Sequence, residues 1–274
     1  MTGGPPAVRR RFRLEPYLAF AKTAAAREAT YRFDVVATIV AFALRVYILR
    51  MVWTALYARN AAPEGLPLHA IVTYSTVALL MGLVLDVDQV GSLYTKLADG
   101  SIASDFLRPI SVPLYFFADG AGEVLFHAAL VVPSLVVALL LVHVDVPGPG
   151  ALAAFALSFV LGYFVGFCIN FILNCTAFWT LEIHAVQMIV TWLTDLLGGE
   201  LVPLVLFPAA LQHVLVALPF AAMFSTPLLI YVGEIPPAGY AAALGAQAAW
   251  LAALGALCVV VWRAGARRVV VQGG

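Results

Sequence analysis

Long apolar runs separated by short polar stretches dominate the chain. Six of these runs are long enough to cross a membrane as a helix: residues 34–57, 68–88, 113–142, 152–180, 185–203 and 238–262. About 20 apolar residues span the hydrocarbon core as a helix, because lipid offers no hydrogen-bond partner to exposed backbone groups. The pattern therefore predicts an all-α integral membrane protein with six transmembrane helices.

A further apolar segment, residues 204–233, is interrupted by proline. Pro208, Pro219 and Pro227 lie inside it, and Pro203 directly precedes it. Because proline removes a backbone donor and clashes with the preceding turn, we expect short helices here rather than one clean span. We interpret the segment as an outer re-entrant hairpin between spans five and six. The alternative is a seventh span, which would put the C-terminus on the outer side.

The residues before the first run are more polar. Residues 14–33 can form a helix with Leu and Ala on one side and Lys, Arg and Glu on the other. Such a pattern is typical of an amphipathic helix on the inner membrane surface, and a solvated helix is the alternative. The predicted organisation is a cytoplasmic tail and interfacial helix at 1–33, a six-helix transmembrane domain at 34–263, and a cytoplasmic tail at 264–274.

Composition and charge support this interpretation and set the orientation. Hydrophobic residues make up 63% of the chain and charged residues only 11%, which excludes an ordinary soluble domain. Twelve of the fifteen Lys and Arg residues lie before the first run, in the 89–112 loop or in the C-terminal tail. Positive charge collects on the cytoplasmic side of membrane proteins, so we expect both termini and this loop in the cytoplasm.

Motifs for catalysis, metal binding and ATP binding are missing from the sequence. It contains no GxxxxGK[ST] phosphate loop and no HExxH, and its three cysteines stand at no metal-ligand spacing. We therefore expect no catalytic residue, no metal ligand and no cofactor on this chain.

Polar residues inside the predicted spans are candidates for a substrate path: Arg45, Asp119, Glu123, Asn170, Asn174 and Asp195. A charge near the bilayer centre costs about 2.5–3.5 kcal/mol on insertion scales, so each needs a partner or a water-filled cavity. The two carboxylates of the third span stand four residues apart on one helix face. They could attract a cation, pair with Arg45 or form a structural cluster. Asp195 is another candidate partner of Arg45, and the two asparagines could equally join helices by hydrogen bonds.

Four segments of the chain resemble one transporter family. They are YLAFAKTAAAREATYRFDVV (17–36), LADGSIASDFLRPISVPLYFFAD (97–119), GYFVGFCINFILNCTAFWTLEI (162–183) and the proline-rich 198–233. In this order they are similar to the membrane subunits of ABC type-2 exporters, specifically the six-span bacterial permeases that lack an ATPase domain. The Arg-rich start of the chain is not part of that pattern.

The resemblance implies a permease subunit in the bacterial cytoplasmic membrane. Its partners would be two ATP-binding ABC subunits, a second permease that is identical or a sister chain, and membrane lipid, with no nucleic acid. ATP and Mg²⁺ would bind to the partner ATPase. A hydrophobic or cationic small molecule is the substrate class that the carboxylates of the third span favour.

The resemblance also assigns roles to particular residues. The 97–109 loop would couple to the ATPase, with Asp99, Asp105 and Arg108 docking into it and Phe106 and Leu107 as apolar anchors. A solvated connector is the alternative for this loop. Residues of the predicted outer hairpin would form an outer gate: Phe207, Pro208, Pro219 and Phe220.

Two other functions remain open at this point. The chain could be a stand-alone proton-coupled carrier that uses Asp119, Glu123 and Arg45. It could also be a scaffold subunit whose intramembrane charges serve assembly only.

Overall fold

Every regular element that the computed structural model describes is helical. The structure describes residues 15–28, 32–58, 66–86, 90, 93–106, 111–180 and 183–272, and no strand occurs among them. In chain order the helices are α1 (Glu15–Glu28), α2 (Arg32–Ala58), α3 (Leu68–Leu85), α4 (Leu93–Ala98), α5 (Ile102–Phe106), α6 (Val112–Leu141), α7 (Pro149–Cys175), α8 (His184–Leu197), α9 (Ala209–Val216), α10 (Pro219–Met223), α11 (Ser225–Tyr231) and α12 (Tyr240–Gln272). Short 3₁₀ turns occur at Thr176–Phe178, Leu204–Leu206 and Pro237–Gly239. The predicted all-α fold is confirmed.

Five helical stretches among the described residues are long and apolar enough to cross a membrane. They are Phe33–Ala58, Leu68–Leu85, Val112–Leu141, Pro149–Phe178 and Pro237–Arg268. Each corresponds to a span predicted from the sequence. Leu140 is 81% exposed and Val132 is 66% exposed, as expected for side chains that face lipid rather than protein. The chain is therefore a multi-pass membrane protein.

The predicted span at 185–203 is not confirmed as a continuous helix. Helix α8 has 14 residues and ends at Leu197, so it is about 21 Å long. Gly198 and Gly199 then turn the chain: Gly199 has φ of +85°, and a Cβ on Gly198 would lie 2.3 Å from the Thr194 carbonyl oxygen. Only glycine tolerates such a backbone without strain. Pro203 follows, so the helix cannot be extended in the register that hydropathy alone suggested.

Proline divides the segment 204–233 into short helices, as the sequence predicts. Pro208 is the N-cap of α9, and Pro219 is the first residue of α10. The later part of the segment is buried: Phe224 and Leu228 are fully inaccessible in a core that includes side chains of α3 and α7, and Ile230 is fully inaccessible as well. Helices α10 and α11 thus fill the interior, whereas most of α9 is exposed.

Helix α1 packs along the first half of α6. Gly122 of α6 permits this close approach, because a Cβ there would lie 2.2 Å from the Ala21 carbonyl oxygen and 2.7 Å from the Ala24 Cβ. The face that packs is therefore centred on Ala24, which is 1% exposed, whereas Leu18 is 60% exposed. The sequence assigns Leu18 to the apolar side of a surface helix, and that assignment stays a prediction. Small residues make the contact with α6.

The bundle has two distinguishable ends. One end, here called the loop end, carries α4, α5 and the start of α6, and Phe106 of α5 contacts Trp262 of α12 there. The far end carries residues 143–148, where the Asp145 backbone N–H donates to Thr73 Oγ1 at 3.1 Å. Between the ends, the Gln247 amide of α12 donates to the Ala222 carbonyl at 2.7 Å, which ties α12 to α10.

Candidate functional site

The loop between α3 and α6 folds into the two short helices α4 and α5, which a buried ion pair joins. Lys96 Nζ of α4 lies 2.6 Å from Asp105 Oδ2 of α5, and the side chains are 21% and 3% exposed. Lys96 also donates to Tyr115 OH at 3.3 Å and lies 4.5 Å from the centre of that ring. Burial alone would lower the pKa of Lys96, but the hydrogen bonds to Asp105 and Tyr115 outweigh it and raise the pKa.

Apolar side chains fix the same two helices to the bundle. Leu93 of α4 and Ile102 of α5 are almost completely buried in a cluster that includes Phe116 of α6 and Phe171 of α7. Phe106 adds a ring contact with Trp262, with centroids 6.0 Å apart. Helices of five and six residues have little stability of their own, so this packing holds their shape.

The tip of the loop consists of four consecutive exposed residues. Ala98, Asp99, Gly100 and Ser101 are all exposed. The Ser101 backbone N–H donates to Asp99 Oδ1 at 2.9 Å, which lowers the pKa of Asp99, and Gly100 adopts φ of +75°. The tip is therefore an ordered turn of small and polar residues that a partner can approach closely.

The residues predicted to couple to an ATPase fall into different environments. Asp99 is exposed at the tip, but Asp105 is buried against Lys96, and Phe106 faces the bundle. Leu107 and Arg108 lie outside the described residues. A docking role for Asp105 stays a prediction, although in this structure its carboxylate points inward and not toward a partner. The anchoring role predicted for Phe106 is compatible with its position against Trp262.

A polar cavity of about 240 Å³ lies among α3, α7 and α8. Helix α8 contributes polar residues at helical spacing, namely Gln187, Thr191, Thr194 and Asp195. Asn170 of α7 and Asp86, at the end of α3, line it as well. An apolar bundle that encloses such a polar surface has room for water or a polar ligand there.

A second cavity, of about 420 Å³, shares Asp86 with the first. It is lined by Asp86, Arg45 of α2 and Glu200, which follows α8. One carboxylate oxygen each of Asp86, Asp195 and Glu200 lies within 4.8 Å of the other two, a spacing at which they could hold a cation. One Glu200 oxygen is buried without a hydrogen-bond partner among the described residues. The structure thus brings Arg45 and three carboxylates together where the two cavities meet.

Three of the six predicted path residues line these cavities: Arg45, Asn170 and Asp195. Asn174 is buried one turn from Asn170, and its amide donates to the Asn170 carbonyl at 2.9 Å. This contact lies within one helix, so it does not join helices as the sequence suggested. The substrate roles of all four residues stay predictions.

The two carboxylates of the third predicted span are placed differently from expectation. Glu123 forms an ion pair with Arg27 of α1, not with Arg45. Asp119 is buried one turn earlier on α6 and does not line either cavity. The pairing of these carboxylates with Arg45 is therefore wrong for Glu123, because α1 packs against this part of α6.

Sequence reasoning left Asp86 out of the candidate path, whereas it placed Glu200 with Asp195 in the fifth span, with either a substrate or a structural role open to both. Asp86 ends an apolar run and Glu200 follows a pair of glycines, positions that also suit ordinary loop residues. The sequence does indicate that a carboxylate beside an apolar span carries a free-energy cost and needs a partner. It does not indicate which residue that partner is, because the packing of α2, α3 and α8 decides this.

The predicted gate residues lie around α9 and α10. Phe207 is partly buried against a cluster that contains Leu204 and Leu215, whereas Pro208 is exposed. Pro219 and Phe220 begin α10 and are partly buried. Their gating role stays a prediction.

Comparison with known proteins gives one result for the chain as a whole. Residues 42–273 match a family model described as ABC-2 family transporter protein. No curated protein matches the chain significantly. No solved structure does so either.

Proposed function

The chain belongs to the ABC-2 transporter family, and on that premise we propose that it is the membrane permease of an ATP-driven exporter. The family match and the membrane-length helices make it a membrane subunit of a transporter. The proposal adds that two separate ATP-binding subunits, which carry ATP and Mg²⁺, dock at the loop end. It places that end in the cytoplasm of a bacterial cell, with both chain termini on the same side.

The observation that carries the proposal is the construction of the loop. An exposed turn of small residues stands on a buried base in which Lys96 and Asp105 join α4 to α5. A partner that pushes on this tip would displace α4 and α5 together. Tyr115 would pass the displacement to α6, and Phe106 would pass it to α12 through Trp262. Coupling requires a contact that differs between two states of the partner, and this loop is suited to transmit one.

We place the substrate path at the paired polar cavities. Arg45 and the carboxylates of Asp86, Asp195 and Glu200 would exchange partners as the helices move, which favours a cationic or amphipathic small molecule. A second permease, identical or a sister chain, would complete the path. Residues 204–233 would form the outer gate, with Phe207, Pro208, Pro219 and Phe220 at its moving parts.

The stand-alone proton carrier has no support from the contacts. It requires Asp119, Glu123 and Arg45 to act together, but Glu123 pairs with Arg27 and Asp119 lines neither cavity. The ATP-driven exporter is therefore the function that we carry forward.

The test is copurification of an ATPase with tagged chain from native membranes in mild detergent. Ala103 of α5 is exposed at the loop end, and Ala238 is equally exposed at the far end. We expect Ala103→Arg to remove vanadate-sensitive ATPase from the purified material and Ala238→Arg to retain it. If no ATPase accompanies the unaltered chain, the proposal fails. If both variants retain the ATPase equally, docking at the loop tip is wrong.

A further inference from the structure

An apolar cavity of about 400 Å³ opens between α6, α7 and α12 at the loop end, away from the polar cavities. Its walls are aromatic: Phe117, Phe167, Phe171 and Trp262. Neighbouring rings in this wall contact one another. The ring centroids of Phe117 and Phe167 are 5.2 Å apart, those of Phe167 and Phe171 are 5.9 Å apart, and those of Phe171 and Trp262 are 5.8 Å apart. The walls therefore hold each other in place, and the volume lies in the range of roughly 300–1,000 Å³ that ligand pockets occupy.

One cation among the described residues lies at the rim of this apolar cavity. Arg263 lines it, is exposed, and forms no ion pair with any residue that the structure describes. Gly255 lines the same cavity eight residues earlier on α12, which places it about 12 Å away along the helix. Apart from neighbouring residues and the local backbone of α12, no described atom lies within 4 Å of the position that a Cβ on Gly255 would occupy. The cavity is thus open at the glycine and charged at the arginine.

We propose that this cavity binds one anionic phospholipid, with an acyl chain among the aromatic rings and the phosphate on Arg263. An acyl chain matches an apolar space that extends about 12 Å along α12. A guanidinium is a strong partner for phosphate because it presents several donors in a planar fork. The position is also right for a headgroup, since Trp and Arg are typical of the membrane interface.

The site connects lipid to the loop that we propose to be the coupling element. Trp262 forms part of the cavity wall, and its ring also contacts Phe106 of α5. An acyl chain in the cavity would therefore press on the ring that anchors α5. Binding itself does not depend on an ATPase partner or on transport, so it can be tested separately from the proposed function.

The experiment is native mass spectrometry of the delipidated chain after addition of phosphatidylglycerol or phosphatidylcholine. Gly255→Leu fills the cavity, and Gly245→Leu is its matched control, because Gly245 lies on the same helix with equally open space around it. Arg263→Gln removes the charge, and Arg267→Gln removes an exposed charge one turn further on. Size-exclusion chromatography and helix content establish that each variant is folded.

We expect Gly255→Leu to reduce retained phosphatidylglycerol about tenfold and Arg263→Gln to reduce it by about the same factor. Arg263→Gln should reduce retention of phosphatidylcholine much less than that of phosphatidylglycerol, because the choline cation offsets the charge of the phosphate that both lipids carry. Both controls should behave as the unaltered chain. Undiminished retention in Gly255→Leu would overturn the cavity as the site. Equal retention of the two lipids, or an unchanged value for Arg263→Gln, would overturn the anionic specificity. The two variants act on different parts of the site, so failure of one to fold leaves the other decisive.

Discussion

Replacing Lys96 by methionine removes the positive charge that faces Asp105 and keeps a side chain of similar length. The Asp105 side chain is 3% exposed, so its carboxylate would be left in an apolar setting without its cation. Breaking a buried ion pair by removal of one partner costs about 3–5 kcal/mol. We expect about 3 kcal/mol here, because Lys96 keeps 21% of its side chain exposed and water can approach.

A double variant, Lys96→Met with Asp105→Leu, removes both charges and keeps an apolar contact. It should recover most of the loss, because replacement of a buried pair by apolar residues of similar volume is often neutral.

The assay is hydrogen exchange of the 93–106 backbone in the chain reconstituted in nanodiscs. A loss of 3 kcal/mol predicts exchange about 150-fold faster in these two helices, because each 1.4 kcal/mol corresponds to a factor of ten. Lys22→Met is the control, since Lys22 is an exposed lysine of α1, and it should change stability by less than about 0.5 kcal/mol. If Lys96→Met changes exchange less than fivefold, or if the two substitutions are additive, the ion pair does not hold the loop.

Three further predictions concern helix contacts and pH. Gly122→Ala should separate α1 from α6 and destabilise their contact by about 1–3 kcal/mol, because the new Cβ would clash with the Ala21 carbonyl oxygen. Faster hydrogen exchange of the α1 backbone would measure this loss. Gln247→Met should lower the free energy of unfolding by about 1–2 kcal/mol, since it leaves the Ala222 carbonyl unpaired, and denaturant unfolding in detergent measures it. The contribution of Lys96 to loop stability should be complete up to about pH 10 and lost as the pH rises through its raised pKa, as exchange corrected for intrinsic rate would show.

Each of these predictions has a control within the chain. Gly150→Ala introduces a Cβ into open space and should leave exchange unchanged. Gln212→Met alters a glutamine that is only partly buried, so it should lower the free energy of unfolding less than Gln247→Met does. For the pH effect, Lys96→Met should abolish the alkaline change in the 93–106 helices. Persistence of that change in the variant would show that another group causes it.

The spans could be predicted because the membrane imposes them locally. All five confirmed stretches, from Phe33–Ala58 to Pro237–Arg268, follow directly from apolar runs in the sequence. Lipid leaves a helix as the sole way for such a run to satisfy its backbone. The prolines of 204–233 act locally too, so short helices could be expected there. The end of α8 has a local signal as well, in Gly198, Gly199 and Pro203, but a prediction based on hydropathy alone extends the helix past it.

The partners of the charged residues depended on contacts between distant parts of the chain. Glu123 meets Arg27 across 96 residues because small residues let α1 lie on α6. Asp86 and Glu200 meet Asp195 because α8 is short and turns back beside α3. A sequence indicates that each buried charge needs a partner of opposite charge or a polar environment, but it does not indicate which residue supplies it.

The sequence by itself determined that this chain is a helical membrane protein, where its long spans lie and which transporter family it resembles. These properties follow from local hydropathy, proline chemistry and motif order, each of which is complete within a few tens of residues. Only the tertiary structure decided that Asp105 faces Lys96, that Arg45 shares a cavity with Asp86 and Glu200, and that an apolar cavity ends at Arg263. Those outcomes depend on how helices approach one another, and the fit of side chains at Gly122, Trp262 and Gly198 settles that approach.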